Sequence, residues 1–153
     1  MNKKVAILLG SKTDEPLIEP SLAYYKHFDI NVEVHIMSAH RNPESVSKFA
    51  SEARDNGYSI LIGSAGMAAH LSGALKAHST LPVIGIPLPG GILDGLDSLL
   101  STVNMPKGVP VATVSMGKAG AINAAVLCAE IFSLANIDLI SKLTEFKKNG
   151  CTI

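Results

Sequence analysis

Polar side chains with different chemistry lie close together in the segment Ser38-Ala39-His40-Arg41. The guanidinium of Arg41 can bind an anion through two parallel hydrogen bonds. The imidazole of His40 can donate or accept a proton near neutral pH, and Ser38 offers a hydroxyl beside it. The segment is therefore a candidate for anion binding combined with proton transfer, although an ordinary surface loop could contain the same residues.

The position of this segment in the chain favours the functional interpretation. Alternating apolar and polar residues over 31–37 predict a strand. A helical pattern begins at Pro43 and is predicted to end near Asn56, before a left-handed Gly57. In α/β proteins, ligands bind where the carboxyl ends of parallel strands lead into helices. The segment around His40 lies at such a junction.

A second junction follows the apolar residues 5–9, which predict a strand buried on both faces. The turn over 10–16 leads into a helix predicted to end near Phe28. Amides of a first helical turn bind phosphate, and the hydroxyls of Ser11 and Thr13 would add donors. The turn has neither glycine pattern typical of dinucleotide-binding or P-loop proteins, so it is a weak signal on its own. Four residues of the helix are predicted to contact the core: Leu17, Leu22, Tyr25 and Phe28.

A third junction follows a strand predicted over 59–62. Its loop, over 63–71, is rich in glycine and alanine, and small residues let the main chain approach a ligand closely. His70 in this loop is either a ligand contact or a hydrogen-bonded structural histidine, and the sequence leaves both interpretations open.

The remaining strands are predicted over 81–86 and 109–114, and the remaining helices over 95–103, 119–135 and 137–148. Five strands that alternate with helices predict one α/β domain spanning residues 1–153. The expected architecture is a three-layer sandwich around a doubly wound parallel sheet in the flavodoxin-like order 2-1-3-4-5. In this order the loops after the first three strands converge on one pocket.

The composition argues against several classes of partner. The chain has 13 basic and 13 acidic residues, and only 5% of its residues are aromatic, with no Trp. Such a chain lacks the charge and the stacking surface typical of nucleic-acid binding. Cys128 and Cys151 belong to no metal-binding pattern, and residues 1–5 lack the layout of a secretory signal. We expect a cytoplasmic protein without a metal or a nucleic-acid partner.

The chain is rich in apolar residues, which make up 47% of it, yet no apolar run approaches the roughly 18 residues that span a membrane. The helix over 119–135 is apolar on nearly every side. We therefore expect no membrane partner, and we expect this surface to be buried between subunits of a homo-oligomer.

Six short segments occur in the order typical of the N5-carboxyaminoimidazole ribonucleotide mutase family, which the chain resembles over nearly its whole length. They are Gly10-Ser11-x-Thr13-Asp14, Ser38-Ala39-His40-Arg41-x-Pro43, Ala65-Gly66-x-Ala68-Ala69-His70-Leu71-x-Gly73, Asp97-Ser98-Leu99-Leu100-Ser101, Met105-Pro106-x-Gly108-Val109-Pro110-Val111-Ala112-Thr113 and Gly117-x-Ala119-Gly120-Ala121-x-Asn123-Ala124-Ala125.

The resemblance implies an isomerase of de novo purine biosynthesis that forms octamers and uses no cofactor. It would move a carboxyl group from the exocyclic nitrogen of a ribonucleotide to ring carbon C4, through bound aminoimidazole ribonucleotide and CO2. His40 would transfer protons, and helices over 119–148 would contribute to contacts between subunits. The ribose 5-phosphate would be held by Ser11, Thr13, Asp14 and Arg41. The imidazole and carboxylate end would be lined by Ser38, Ala39, Gly66 and Leu71, and Ala68 and His70 would be further substrate-binding residues.

The chain departs from the family pattern at Thr13, where Ser is more frequent, at Asn42, where Thr is expected, and in the loop over 87–91. Two other functions remain open. A related branch carboxylates aminoimidazole ribonucleotide directly with CO2, but it has Lys where this chain has Arg41. A non-catalytic module that binds sugar phosphates is the second alternative, and it would have no use for His40.

Overall fold

Short apolar segments alternate with helices along the whole chain. The computed structural model describes residues 2–153, and Met1 lies outside the described residues. The strands are β1 (Lys4–Leu9), β2 (Asn31–Ile36), β3 (Ile60–Ala65), β4 (Val83–Pro87) and β5 (Ala112–Thr113). The α-helices are α1 (Glu15–His27), α2 (Pro43–Glu52), α3 (Leu71–His78), α4 (Leu96–Val103), α5 (Gly117–Ser133) and α6 (Asp138–Lys148), and 3-10 turns occupy Lys12–Asp14 and Ile92–Asp94.

The five strands form one parallel sheet in the order β2-β1-β3-β4-β5, which confirms the predicted topology. Leu9, the last residue of β1, pairs with Ile36 on one side and with Ser64 on the other. The carboxyl ends of β2, β1 and β3 are therefore level with one another. Their following loops must leave the same edge of the sheet, on either side of the switch point between β1 and β3.

Helices cover both faces of the sheet, and β1 shows how the two cores are separated. Val5, Ile7 and Leu9 belong to a core with α1, α5 and α6. Ala6 and Leu8 belong to a second core with α2 and α3. Because successive side chains of a strand point to opposite faces, a continuous apolar run fills both cores.

Two glycines let helices lie directly on the sheet near its centre. A Cβ at Gly63 in β3 would lie 2.6 Å from the backbone of Ser72 in α3. A Cβ at Gly85 in β4 would lie 2.4 Å from the side chain of Thr102 in α4. Any larger residue would push these helices outward, and with them the loops that precede them.

Three predicted elements differ from the observed ones by three or more residues at one end, and the other predicted boundaries agree with the structure to within two residues. Helix α2 ends at Glu52, and turns continue from there to Gly57. Gly57 has the predicted left-handed conformation, with φ +81°, and Tyr58 N–H donates to Ala53 O at 3.0 Å. Strand β3 continues to Ala65, because β1 and β4 pair with it on both sides. Strand β5 has only two residues, and Pro110, which has no N–H to donate, lies just before it.

The core prediction for α1 was right for Tyr25 and Phe28, which are fully buried, and wrong for Leu22, which is 38% exposed. The buried face of α1 is formed by Ile18, Ser21 and Tyr25, so Leu22 lies beside it. Leu17 is partly buried against the same core.

Helix α5 is covered more fully within one chain than its apolar sequence indicates. One face is completely buried, and four further apolar side chains, Ile122, Val126, Leu127 and Ile131, are half-buried. Its exposed positions are Lys118, Ala119 and Asn123. Among residues 2–153, no helix combines the length and apolarity needed to cross a membrane.

Candidate active site

The loops after β1, β2 and β3 enclose a cavity of about 500 Å³ at the carboxyl edge of the sheet. Every site residue predicted from the sequence lines this cavity: Ser11, Thr13, Asp14, Ser38, Ala39, His40, Arg41, Gly66, Ala68, His70 and Leu71. The convergence expected from the strand order is thus present in the fold.

The sequence interpretation missed one wall of the cavity. Pro89, Gly90 and Gly91, in the loop after β4, also line it, as do Gly10, Ala65 and Met67. The predicted strand order could have identified this wall, because β4 lies beside β3 and the loop after β4 leaves the same edge of the sheet. Met67 was not singled out, although it adopts a left-handed φ of +53°, which is unusual for a residue with a side chain.

The loop after β1 is held in shape by its own side chains. Ser11 Oγ accepts hydrogen bonds from Thr13 N–H at 3.3 Å and from Thr13 Oγ1 at 2.9 Å. Asp14 Oδ2 accepts from Ser11 N–H at 3.1 Å, which completes a capping box. Thr13 therefore keeps the hydroxyl that its serine counterpart would supply.

The carboxyl of Asp14 is only partly solvated. Burial raises its pKa above the ordinary value of 3.8, against the opposing effects of the Ser11 N–H and the positive charge of Arg41. A carboxylate with unsatisfied solvation is a strong acceptor for hydroxyl groups of a ligand. Asp14 is therefore suited to binding a sugar.

Arg41 joins the loops after β1 and β2. Its Nη2 donates to the carbonyl oxygen of Gly10 at 2.7 Å. A guanidinium has five N–H donors, so this bond leaves donors for an anionic ligand. The contact fixes the cation at the same end of the cavity as Ser11 and Thr13.

Ser38 holds the turn that presents His40 and Arg41. Its Oγ accepts from Arg41 N–H at 3.2 Å, and its own N–H donates to Asn42 Oδ1 at 3.4 Å. Ser38 is 9% exposed. Asn42, the departure from the expected Thr, thus supplies an acceptor that keeps the turn closed.

The two histidines of the cavity contact each other directly. His40 Nε2 lies 2.7 Å from His70 Nδ1, with ring centroids 4.8 Å apart at an angle of 71°. His70 is therefore a hydrogen-bonded histidine that also lines the cavity, and its contact with a ligand stays a prediction. A hydrogen bond between two imidazole nitrogens contains one proton, which one ring donates and the other accepts.

The sequence of this chain matches the family described as "AIR carboxylase" over residues 4–151. The chain belongs to the AIR carboxylase family. Among the relatives within this family is a protein of Mycobacterium tuberculosis named N5-carboxyaminoimidazole ribonucleotide mutase, which is 46% identical over 94% of this chain and 82% of its own length. Proteins with the same name from Bacillus subtilis and Escherichia coli are 44% and 41% identical, over 97% and 95% of this chain and 92% and 86% of theirs.

Solved structures agree with this assignment to the AIR carboxylase family. The crystal structure of Treponema denticola PurE superposes with a TM-score of 0.86 at 29% identity, covering 97% of this chain and 91% of that one. A structure titled Treponema denticola PurE2-S38D gives 0.88 at 28% identity, covering 99% and 92%. The fold is therefore that of PurE proteins.

The arrangement of the cavity limits what it can do chemically. One end combines a guanidinium, two hydroxyls and a carboxylate, which suits a phosphorylated sugar. The other end combines small residues with a histidine pair, which suits a compact group that exchanges a proton. Among residues 2–153, no group of three or more His, Cys, Asp or Glu side chains forms a metal site.

Proposed function

We propose that this chain converts N5-carboxyaminoimidazole ribonucleotide to 4-carboxy-5-aminoimidazole ribonucleotide, with His40 as the catalytic residue. Its curated relatives are named as mutases of this substrate, and the chain is an isomerase of purine biosynthesis. One observation supports the assignment most strongly: the bonded His40 and His70 share a single cavity with Arg41 and Asp14.

The substrate would lie with its phosphate against Arg41 and its ribose against Asp14. Arg41 would bind the phosphate with the N–H donors that remain beside its bond to Gly10, and Asp14 would accept from ribose hydroxyls. Ser11 and Thr13 would add hydroxyls at the same end. The imidazole and the migrating carboxylate would be surrounded by Ser38, Ala39, Gly66, Ala68, His70 and Leu71.

Migration of the carboxyl group requires one proton to be given and one to be returned. When the carbamate bond breaks, its electron pair stays on the exocyclic nitrogen, which takes a proton from His40, and CO2 is released into the cavity. Ring carbon C4 then attacks CO2, and the proton that C4 carries returns to His40. The imidazole ends in its initial state, so one histidine can serve both halves of the reaction.

His70 would hold the proton-transfer ring in place. Its Nδ1 lies within hydrogen-bond distance of His40 Nε2 and can accept or supply the proton on that nitrogen. Such a partner fixes the orientation and tautomer of a catalytic imidazole. His70 would thus contribute to rate as well as lining the substrate pocket.

We also propose that the protein works in the cytoplasm as a homo-octamer of single-domain subunits, with helices over 119–148 among the subunit contacts. Support comes from the apolar side chains that the isolated chain leaves exposed. Leu134 and Ile137, between α5 and α6, are 87% and 82% exposed. Burial of such side chains stabilises an assembly by roughly 1.5–3 kcal/mol each.

The description of the family favours a second candidate, direct carboxylation of aminoimidazole ribonucleotide by CO2. The two activities differ in what enters the cavity, because a carbamate delivers its own CO2 at a very high effective concentration. We expect fast initial rates with N5-carboxyaminoimidazole ribonucleotide in the absence of bicarbonate, and poor rates with aminoimidazole ribonucleotide and dissolved CO2. A preference for the second pair would identify a carboxylase. Binding without turnover of either substrate would indicate a non-catalytic module.

A further inference from the structure

Helix α4 touches two walls of the cavity through the polar residues of the segment Asp97-Ser98-Leu99-Leu100-Ser101, none of which lines the cavity itself. We infer that Asp97, Ser98 and Ser101 are positioning residues, and that the hydroxyl of Ser101 holds the loop that presents His70 to His40. The kinetic consequence of this inference depends on the proposed function, but the structural consequence does not.

Ser101 bonds to the loop between β3 and α3. Its Oγ accepts from Ala69 N–H at 3.0 Å and lies 3.3 Å from the carbonyl oxygen of Met67. The same hydroxyl donates to Asp97 O, inside α4, at 2.7 Å. Ala69 is buried and directly precedes His70. The hydroxyl therefore bridges α4 to the residue next to the histidine.

The loop contains a conformation that needs such a restraint. Met67 has φ +53°, although its side chain is 65% exposed and so gains little packing. A non-glycine residue in this region is strained and persists only where neighbouring contacts enforce its conformation. The hydrogen bond that Ser101 accepts from the Ala69 amide restrains the chain two residues after Met67, and the same hydroxyl oxygen lies 3.3 Å from the Met67 carbonyl oxygen.

The other two residues hold the loop after β4. Ser98 is fully buried, and its Oγ donates at 2.7 Å to the carbonyl of Leu88. Asp97 Oδ2 accepts from Ile92 N–H at 3.1 Å. The same carboxylate lies 2.5 Å from the position of a Cβ on Gly91, which has φ +71°, so a larger residue there would be strained and would displace the carboxylate. One turn of α4 thus fixes both the Gly91 wall and the His70 wall.

The chain offers a conservative variant and a matched control. Ser101→Ala removes the bridge, and Ser101→Thr keeps the hydroxyl. Thr102→Val preserves the side-chain shape and removes a neighbouring, more deeply buried hydroxyl, which donates at 2.7 Å to Ser98 O within the same helix. If weakening of α4 alone lowered kcat, both Ser101→Ala and Thr102→Val would show the decrease.

Steady-state kinetics with N5-carboxyaminoimidazole ribonucleotide provide the first test. We expect Ser101→Ala to lower kcat roughly tenfold, the rate equivalent of one lost hydrogen bond, with little change in KM. Ser101→Thr should recover most of that loss, and Thr102→Val should resemble the wild type. Equal kcat values for Ser101→Ala and Thr102→Val would overturn the inference.

A second test requires no turnover. In ligand-free protein, two-bond proton–nitrogen NMR spectra report the hydrogen bonding of each imidazole nitrogen, and amide hydrogen exchange reports the Ala69 N–H. We expect Ser101→Ala alone to shift the His70 Nδ1 signal and to speed exchange at Ala69. If both remain as in the wild type, Ser101 does not position the loop, whatever reaction the enzyme catalyses. If they change while no variant or wild type turns over substrate, the inference stands and the proposed reaction fails.

Discussion

At the scale of single residues, the proposed chemistry depends on two side chains that are 30 positions apart in the chain. His40 is presented by a turn that Ser38 closes, and His70 directly precedes α3. Their nitrogens meet at 2.7 Å because the β2 and β3 loops leave the same edge of the sheet. This geometry lets His70 orient the ring of His40, the proposed proton-transfer residue.

Replacing His40 by Asn should separate binding from proton transfer. We expect His40→Asn to lower kcat by at least about 10²-fold, the low end for general acid–base catalysis, while ligand affinity stays close to that of the wild type. His70→Asn should have a milder effect, because Asn can still hydrogen-bond to His40. His78→Asn, at an exposed position at the end of α3, is the matched control. Single-turnover kinetics and calorimetric titration measure the two quantities, and a His40→Asn rate within a few-fold of wild type would remove this residue from the mechanism.

We expect the carboxylate of Asp14 to lower the free energy of unfolding at pH 7 and to increase the affinity for substrate. Because burial raises its pKa in the folded state above 3.8, the native protein binds more protons than the unfolded chain just above that pH, and the free energy of unfolding falls as pH rises through this window. At pH 7 the charged carboxylate is therefore unfavourable for folding. Asp14→Asn keeps an acceptor for Ser11 N–H but carries no charge.

We expect Asp14→Asn to be at least as stable as the wild type at pH 7, with its advantage shrinking as the pH falls towards 3.8, because the wild-type carboxyl gains its proton in the folded state within this window. Its affinity for substrate should fall by about 1.5–3 kcal/mol, the usual scale for a hydrogen bond to a charged group. Urea denaturation across pH and ligand titration provide the measurements, with the exposed neighbour Glu15→Gln as control. A less stable variant with unchanged affinity would contradict both expectations.

At the scale of the elements, the sequence was most informative where apolar runs had to be buried on both faces. The apolar run of β1 predicted a strand buried on both faces, and five strands that alternate with helices through short loops predicted a parallel sheet. Strand β3 was predicted three residues short, because Gly63, Ser64 and Ala65 have low strand propensity. Gly63 and Ser64 pair with both β1 and β4, and Ala65 pairs with Pro87 of β4.

The candidate site was predictable as a set of loops but not as a set of contacts. The strand order brought the predicted residues together, yet the bond between His40 and His70 depends on side-chain directions that no local pattern encodes. The wall formed by residues 89–91 has no reactive side chain and therefore gave no chemical signal. Ser101 was noticed only as part of a family segment, since its bond to Ala69 spans two separate elements.

Strand β2 lies at the edge of the sheet and is held by a polar cluster on the α2 side. Tyr58 donates a hydrogen bond to Glu33, His35 Nε2 lies 3.2 Å from the Tyr58 oxygen, and Lys4 Nζ lies 4.2 Å from the centre of the Tyr58 ring. The cluster joins β2 to the start of β3. Because β2 leads into the turn that contains His40, the contacts that hold β2 against the rest of the sheet also hold this turn in place.

We expect Tyr58→Phe to weaken the contacts that hold β2 and so to destabilise the folded protein. We expect a loss of about 1 kcal/mol in the free energy of unfolding at pH 7, the net value of one hydrogen bond, while the ring keeps its contact with Lys4. Burial, followed by the bond to Glu33, raises the pKa of Tyr58 from 10.0 to about 12. The folded state therefore retains a proton that the unfolded chain loses, and wild-type stability should fall as pH rises through this window.

Relative to the wild type, Tyr58→Phe should lose less stability between pH 10 and 12. Tyr24→Phe, which removes a half-buried phenol from α1, is the control and should keep the alkaline loss. Chemical denaturation at several pH values tests the pair. Parallel alkaline curves for the wild type and Tyr58→Phe would show that the cluster does not protect the phenol.

At the scale of the whole molecule, the largest group of exposed apolar side chains lies on and beside α4. Leu96, Leu100 and Val103 follow one another at helical spacing on its outer face and are 39%, 54% and 51% exposed, and Ile92 and Leu93 of the preceding turn are 68% and 77% exposed. The inner side of the same helix contains the polar residues that hold the two cavity walls. Contact between subunits at this surface would therefore restrain α4 and, through it, the His70 loop.

The last prediction joins assembly to activity. In analytical ultracentrifugation we expect the wild type to have a mass eight times the 16.0 kDa of one chain. Leu100→Glu should give smaller species, because burying an unpaired charge in an apolar interface costs several kcal/mol in each subunit. Its kcat should fall with the assembly, since α4 would lose its outer support while every cavity residue is retained. Ala77→Glu, which adds the same charge at an exposed position of α3, should remain assembled and active. A monomeric wild type would refute the octamer, and an intact octamer in Leu100→Glu would move the interface away from α4, towards the helices over 119–148.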